Sequence, residues 1–294
     1  MQDNYINFKK ERDLGSIITD TFKFIKEEYK TLFRLYIKHV GWLLLLVIAA
    51  STYYQYQSLK ISTSVLTETG PAAFLTEMIA DTGIAILLLS VASIAYSALS
   101  LVVITSIIKS YVQNNGEINE DEVNQFVKQF FGRTLGSLVV VGLLVFIGFL
   151  LCVLPGIYLI VPLSLIFPIL VFQEKTFAEA FSESFKLIKN NWWISFATLV
   201  VVSILISLIG GLFQLPIVVM TAMETFVSIQ DGTGTPGTET LSGNWLYMLF
   251  YILGALAQYI LGIVTLISLT LVYFNLNEFH NKTGTLEDID RIGS

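Results

Sequence analysis

The feature that most constrains this chain is a series of apolar runs separated by short charged segments. A helix needs about 20 apolar residues to cross a bilayer core, and its backbone polar groups must be bonded within the span. Such runs predict an all-α integral membrane protein, a bundle of six transmembrane helices. The predicted spans are residues 36–54, 82–108, 135–153, 157–172, 194–215 and 245–276.

The composition is also typical of an integral membrane protein. Charged residues make up 14% of the sequence, whereas soluble domains carry about 25%. The single cysteine, Cys152, excludes an internal disulfide framework and is interpreted as a small packed residue. The first apolar run begins only after some forty residues of charged and amphipathic sequence, which argues against a cleaved signal peptide.

The positions of the basic residues predict the topology. Of the 17 Lys and Arg residues, all but Lys60 fall on one side of a six-span model. Basic residues stay on the cytoplasmic side, so both termini are predicted to be cytoplasmic. The chain then divides into residues 1–40, a cytoplasmic N-terminus with an amphipathic interfacial helix, residues 41–276, the six-span domain, and residues 277–294, a cytoplasmic tail.

Each pair of spans follows an amphipathic segment, so the predicted architecture is three hairpins, each preceded by a cytoplasmic amphipathic helix. Asp13, Asn119 and Thr176 have the residue type and position of N-caps. Burying one Phe side chain stabilises by roughly 1.5–3 kcal/mol, so the apolar stripe of the third segment must face lipid or protein. That stripe consists of Phe177, Phe181, Phe185 and Ile188.

Two of these segments align without gaps. Residues 21–26 match residues 184–189, and Asp20 matches Glu183, while residues 126–130 match more weakly. Duplication would explain the match. Convergence would also explain it, because any interfacial helix places Phe and Lys at these spacings.

Proline and glycine predict the breaks between spans. Pro155 and Gly156 are interpreted as a tight turn between spans 3 and 4, and Pro216 as the end of span 5. Pro162 and Pro168 are expected to kink span 4, because each removes a backbone donor.

A few polar residues lie inside the predicted spans. Serines at helical spacing in span 2 either let helices pack closely or line a hydrated path. Gln258 in span 6 either makes an interhelical hydrogen bond or lines a ligand cavity. The candidate intramembrane cluster is Gln258, Thr265, Ser268, Ser93 and Ser97.

The sequence offers no constellation for catalysis. The only histidines, His39 and His280, have no recognisable ligand neighbours, and neither a phosphate-binding loop nor a nucleophile elbow occurs. No charged residue lies well inside a span. The sequence therefore predicts no enzyme, no metal or other cofactor and no nucleic-acid partner.

A longer pattern runs from Pro155-Gly156 through the span-4 prolines and Glu174 to Ala180, Ser184 and Trp192-Trp193. This stretch resembles bacterial multi-span membrane proteins related to the membrane domain of glycerophosphodiester phosphodiesterases. The resemblance implies a six-span bundle. A phosphodiesterase domain is missing from this sequence, so no catalytic residue carries over.

These observations favour a non-enzymatic scaffold or lipid-associated accessory protein of the bacterial cytoplasmic membrane, whose partners are membrane lipids and other membrane proteins. The alternative is a carrier or permease for an apolar or zwitterionic solute, which rests on the repeat, the span-4 prolines and the serines of span 2. The lack of intramembrane charge argues against ion-coupled transport.

Overall fold

The computed structural model describes residues 5–60, 71–230, 238–286 and 289, and every regular element in these ranges is an α-helix. In chain order the helices are α1 (Leu14–Lys60), α2 (Pro71–Gln113), α3 (Glu120–Leu151), α4 (Val153–Ser164), α5 (Ile166–Phe172), α6 (Phe177–Ile188), α7 (Trp192–Gln230), α8 (Thr238–Ser242) and α9 (Trp245–Asn281).

Six helical stretches are long and apolar enough to cross a membrane, which confirms the all-α prediction with six apolar helices. They are Leu14–Lys60, Thr82–Gln113, Glu120–Leu151, Val153–Phe172, Trp192–Gln230 and Trp245–Asn281. Only 22% to 56% of the most apolar window in each stretch is buried within the protein. Much of the apolar surface of these helices therefore faces outward.

Several helices extend beyond the predicted spans. The N-terminal amphipathic segment and the first apolar run form one helix, α1, of 47 residues. At 1.5 Å per residue this helix is about 70 Å long, well over the thickness of a bilayer core. The second amphipathic segment and the third apolar run likewise form one helix, α3. Only the third amphipathic segment forms a separate helix, α6.

The prediction that Pro216 ends a helix is wrong, because Pro216 lies inside α7, which continues to Gln230. An internal proline removes one hydrogen bond of the helical ladder. Apolar helices tolerate this loss where neighbouring groups satisfy the freed carbonyl. The predicted loop after Pro216 therefore begins with helix, and its residues 231–237 lie outside the described residues.

The break between α3 and α4 also differs from the prediction. The chain turns at Cys152, whose backbone is extended (φ −173°, ψ 153°), and not at Pro155-Gly156. Pro155 stands in the first turn of α4, where its missing N–H costs no helical bond. Gly156 has a packing role, since a Cβ there would come within 2.6 Å of the Phe149 ring.

The interruption predicted for span 4 is present. Helices α4 and α5 meet at Leu165, whose N–H donates to Pro162 O over 3.1 Å. Pro168 lies in the first turn of α5 and has no N–H to continue the ladder from α4.

The chain divides into two compact units. Unit 1 comprises Met1–Gly41, Ser97–Ile206 and Gly262–Ser294, and unit 2 comprises Trp42–Tyr96 and Ser207–Leu261. Unit 1 is centred on aromatic rings: Phe8 packs edge-on against Phe24, Tyr111 and Phe274, with ring centroids 5.4 to 5.9 Å apart. Tyr36 and Ser100 share a buried hydrogen bond of 2.9 Å in the same unit.

Unit 2 contains a hydrophobic cluster formed by Leu59, Leu241 and Tyr247. Tyrosine hydroxyls join its helices: Tyr247 accepts a hydrogen bond from Gln55 Nε2 over 3.0 Å, and Tyr96 donates to Tyr259 O over 3.0 Å. These hydrogen bonds join α1 to α9 and α2 to α9.

Candidate functional site

A polar cavity of unit 1 lies where four segments of the chain meet. It has a volume of about 520 Å³ and is partly open. The lining residues come from the N-terminal segment, the end of α2, the α5–α6 connection with α6, and the end of α9. The charged ones are Lys9, Lys109, Lys175, Lys186 and Glu183, and the carboxamides are Gln113, Gln173, Asn277 and Asn281.

Lys109 is the buried cation of this cavity. Only 4% of its side chain is exposed, and Nζ donates to Val171 O over 2.8 Å and to Glu174 Oε1 over 2.7 Å. The same ammonium lies 4.7 and 4.9 Å from the ring centroids of Phe126 and Phe130. Lys109 therefore connects the end of α2 to α3 and to the C-terminal end of α5. Its hydrogen bonds stabilise the fold.

The connection between α5 and α6 turns sharply at Glu174, which has a positive φ of 53°. Two residues later Thr176 caps α6 in a capping box, as predicted: Glu179 Oε2 accepts from Thr176 N over 2.9 Å and from Thr176 Oγ1 over 2.8 Å. The bond from the Thr176 backbone N–H is the main reason that the pKa of Glu179 lies below its usual range.

Helix α6 docks through a different face from the predicted stripe. Its buried residues are Ala180, Ser184, Leu187 and Ile188. Of the predicted stripe, Ile188 belongs to this buried face, whereas Phe177, Phe181 and Phe185 are half-buried. Their rings contact one another in series, with centroids 6.2 and 4.9 Å apart. Small side chains thus allow close docking, and a partly exposed phenylalanine row runs beside them.

Glu183 is a feature that the periodicity of α6 did not reveal. Its side chain is only 15% exposed and lies 3.4 Å from Lys175 Nζ and 3.9 Å from Lys186 Nζ. One carboxylate is therefore shared by two ammonium groups at the wall of the cavity.

An aromatic surface completes the cavity. Phe172 stacks on Tyr273 with centroids 5.6 Å apart and meets Phe274 edge-on at 4.7 Å. The Tyr273 hydroxyl accepts a hydrogen bond of 3.1 Å from Gln173 Nε2. Apolar rings and carboxamides therefore stand beside the lysines.

The N-terminal segment is held at the cavity by Arg12. The Arg12 side chain is fully buried; Nε donates to Asp20 Oδ2 over 2.8 Å, and the other nitrogens donate to backbone carbonyls of Asn7, Phe8 and Lys10. Burial lowers the pKa of the Arg12 guanidinium, and Asp20 opposes that shift. A Cβ on Gly284 would collide with Lys9 O, so the C-terminal segment passes directly beside Lys9.

The predicted intramembrane cluster is distributed over both units. Thr265, Ser268 and Ser97 belong to unit 1, and Gln258 and Ser93 belong to unit 2. Ser268 shares a buried 3.1 Å hydrogen bond with Thr21, Ser93 bonds the Tyr259 side chain, and Ser97 is exposed. Among the hydrogen bonds of the described residues, none joins two of the five.

Gln258 takes part in a reciprocal packing between α7 and α9. A Cβ on Gly210 would lie 2.5 Å from Gln258 Oε1, and a Cβ on Gly254 would lie 3.0 Å from Gln214 Nε2. Each glycine therefore makes room for the glutamine of the other helix. The repeated spacing, Gly210 with Gln214 and Gly254 with Gln258, is the sequence signal that could have predicted this pairing.

In the part of the chain that the structure describes, no group of three or more His, Cys, Asp or Glu side chains could hold a metal ion. No family model, curated protein or solved structure matches this chain.

Proposed function

We propose that this chain is a non-enzymatic, lipid-associated accessory protein of a bacterial cytoplasmic membrane, which it crosses six times. The observation that carries the proposal is the outward-facing apolar surface of the long helices. Leu150, Leu151 and Leu154 around the α3–α4 turn are 70% to 78% exposed. Soluble proteins rarely expose apolar patches of this kind, and lipid tails would cover them.

The basic segments support a common side for both termini. Lys38 of α1 forms an ion pair with Glu120 at the start of α3, and Lys109 of α2 pairs with Glu174 before α6. Among the described residues, every Lys and Arg except Lys60 belongs to unit 1. That grouping fits three hairpins whose amphipathic segments all face the cytoplasm.

The surroundings of α6 support a position at the membrane surface. Trp192 donates an indole hydrogen bond of 3.2 Å to Tyr158 O, and Trp193 beside it is 75% exposed. Tryptophan is enriched where apolar surface meets headgroups. We infer that the partly exposed phenylalanine row of α6 contacts acyl chains while its lysines lie among headgroups.

Cysteine labelling in spheroplasts tests the proposed topology. In a Cys152→Ser background, Lys60→Cys should react with an impermeant thiol reagent on intact spheroplasts, and Asn115→Cys only after lysis. Both positions lie at helix ends, and Asn115 is exposed. Equal labelling of the two variants before lysis would contradict the six-span topology.

The carrier hypothesis and the resemblance to phosphodiesterase membrane domains stay predictions. Uptake of a solute by proteoliposomes containing the purified chain would favour the carrier, and hydrolysis of lipid substrates would rule out a non-enzymatic role.

A further inference from the structure

We propose that the lysine-lined cavity of unit 1 binds an anionic phosphate group, carried by the headgroup of a membrane lipid or by a small soluble phosphate ester. The inference rests on the proposed function, because membrane insertion would bring the cavity to the headgroup layer. Its volume of about 520 Å³ lies within the roughly 300–1,000 Å³ of small-molecule sites. A phosphate with a polar substituent would fit this space.

The charge of the cavity selects an anion. Four lysines and one glutamate line it. Glu174, outside the lining, neutralises Lys109, and Lys175 and Lys186 share the single carboxylate of Glu183, so this pair of lysines keeps one positive charge in excess. A partly enclosed site screens such charges less than open solvent does. A headgroup with its own cation would lose most of this attraction.

The cavity lysines divide into structural and ligand-facing groups. Lys109 donates two hydrogen bonds shorter than 2.9 Å and is almost fully buried. Lys175 and Lys186 instead share Glu183 at 3.4 and 3.9 Å, beyond the 2.7–2.9 Å typical of charge-assisted bonds. Because an ammonium has three donors, both can turn donors toward a phosphate oxygen. Lys186, with 74% of its side chain exposed, can do so without breaking a buried contact.

The other walls suit the rest of a headgroup. Asn281 Nδ2 donates to Asn277 Oδ1 over 2.8 Å, and Asn277 Nδ2 donates to Thr283 Oγ1 over 3.1 Å. This row leaves amide groups for an uncharged polar substituent, whereas the Thr283 hydroxyl already donates to Glu278 Oε2 over 3.2 Å. Phe172 and Phe274 supply apolar contact on the other side.

Glu183 acts as an internal competitor in this arrangement. A bound phosphate would take over the two ammonium groups that Glu183 shares, so removing the carboxylate should tighten binding. A purely structural role for Glu183 gives the opposite expectation, because its loss would only loosen α6. The sign of the effect therefore separates a ligand site from a structural ion-pair network.

The test uses the full chain in detergent with soluble short-chain lipids as probes. Short-chain phosphatidylglycerol should raise the melting temperature in a saturable manner, and short-chain phosphatidylcholine should not. Lys175→Gln combined with Lys186→Gln should weaken the apparent affinity at least about tenfold, since it removes two charge-assisted hydrogen bonds to the phosphate. Glu183→Gln should strengthen it.

The matched control is Lys26→Gln combined with Lys189→Gln, which removes the same charge from exposed positions outside the cavity. Equal weakening in both double variants, or equal shifts with the two lipids, would overturn the proposal. Inorganic phosphate is the second arm: a saturable shift at similar concentration assigns a soluble ester, and a response to the lipid alone assigns a headgroup. A failed spheroplast topology with a retained phosphate response would count against the proposed function and not against the cavity.

Discussion

The starts of α1 and α6 form nearly the same structure, although one begins a 47-residue helix and the other a 12-residue helix. In each, a cation precedes the N-cap and reaches an acid eight positions later. Arg12 contacts Asp20 over 2.8 Å, and Lys175 contacts Glu183 over 3.4 Å. Each acid also pairs with a second cation, Lys10 for Asp20 and Lys186 for Glu183. The aligned sequence segment is thus longer than its six matched residues, since it includes the cap and the ion pair.

The buried faces begin at the same distance from the cap. The fully buried residues four, eight and eleven positions after the N-cap are Ile17, Thr21 and Phe24 in α1, and Ala180, Ser184 and Leu187 in α6. The same positions in α3, counted from its cap, are the buried Val123, Val127 and Phe130. Helical periodicity explains why the buried residues recur every three or four positions. It does not explain why they begin at the same distance from the N-cap in all three helices. This agreement favours duplication over convergence.

The two copies differ at their C-terminal ends. Helix α6 stops at Ile188, and Asn190 adopts a left-handed conformation with φ 68°. Asn190 and Asn191 align with Glu27 and Glu28 of α1, which favour helix more than Asn does, and α1 continues without a break. The two segments therefore differ in sequence at the point where α6 ends and α1 continues.

The largest effect should come from the cation before each cap. Arg12→Ala leaves Asp20 and three backbone carbonyls without a buried donor, and breaking such a pair costs about 3–5 kcal/mol. Lys175→Ala, with 32% of the side chain exposed, should cost about 1 kcal/mol or less. Detergent-solubilised melting of the purified variants measures the difference. Equal losses would show that the two ion pairs are equivalent.

The next effect concerns the apolar row beside each buried face. Phe181 of α6 aligns with Ile18 of α1, and both are half-buried. An Asp at either position loses about half of the roughly 1.5–3 kcal/mol that full burial of an apolar side chain contributes, and it adds the cost of desolvating a carboxylate. Phe181→Asp and Ile18→Asp should therefore both lower membrane yield and melting temperature.

The controls lie one residue further along each helix. Ser182 and Thr19 align with each other and are exposed, so Ser182→Asp and Thr19→Asp should leave yield and melting nearly unchanged. A loss confined to the α1 variant would mean that the phenylalanine row of α6 faces neither lipid nor protein.

Sequence reasoning located the helices and their caps better than the contacts between them. The caps at Asn119 and Thr176 follow from side-chain chemistry within one turn. The roles of Arg12, Lys109 and Glu183 depend on partners brought together by packing, which hydrophobic periodicity does not report. The topology count includes Arg12 and Lys109 only as basic residues, and Glu183 enters the sequence analysis only as the match of Asp20.

The ends of the helices were harder to predict than the helices themselves, because a proline can lie either in the first turn of a helix or in its interior. Pro155 and Pro216 both resembled helix ends, yet Pro155 starts a helix and Pro216 lies inside one. In water an internal proline would usually end a helix. In a long apolar helix the cost of exposing backbone groups favours continuation.

A smaller effect is expected at the end of α6. Asn190→Ala places an ordinary side chain in the left-handed region, which costs about 1–2 kcal/mol. Asn190→Gly should be neutral or slightly stabilising, because glycine adopts this conformation freely. Thermal melting of the two variants measures the contrast. If alanine is tolerated as well as glycine, the break between α6 and α7 does not depend on Asn190.

The smallest effect is the response of the two caps to acid. The cap bonds of α6 depend on Glu179 and those of α1 on Asp13, which accepts from Ser16 N over 2.8 Å. Hydrogen bonds hold the pKa of each carboxyl below its ordinary value, 4.5 for Glu179 and 3.8 for Asp13. Such a carboxylate stabilises the fold at pH above its unfolded pKa, and the contribution is lost as pH falls through the lowered folded pKa.

Melting curves between pH 7 and pH 3 should therefore show that the native chain loses its higher melting temperature over Glu179→Gln below about pH 4.5. The reason is that the uncharged amide keeps a weaker hydrogen bond that does not depend on pH. The advantage over Asp13→Asn should fade at lower pH, and the reverse order would contradict the assignment of these groups as the titrating caps.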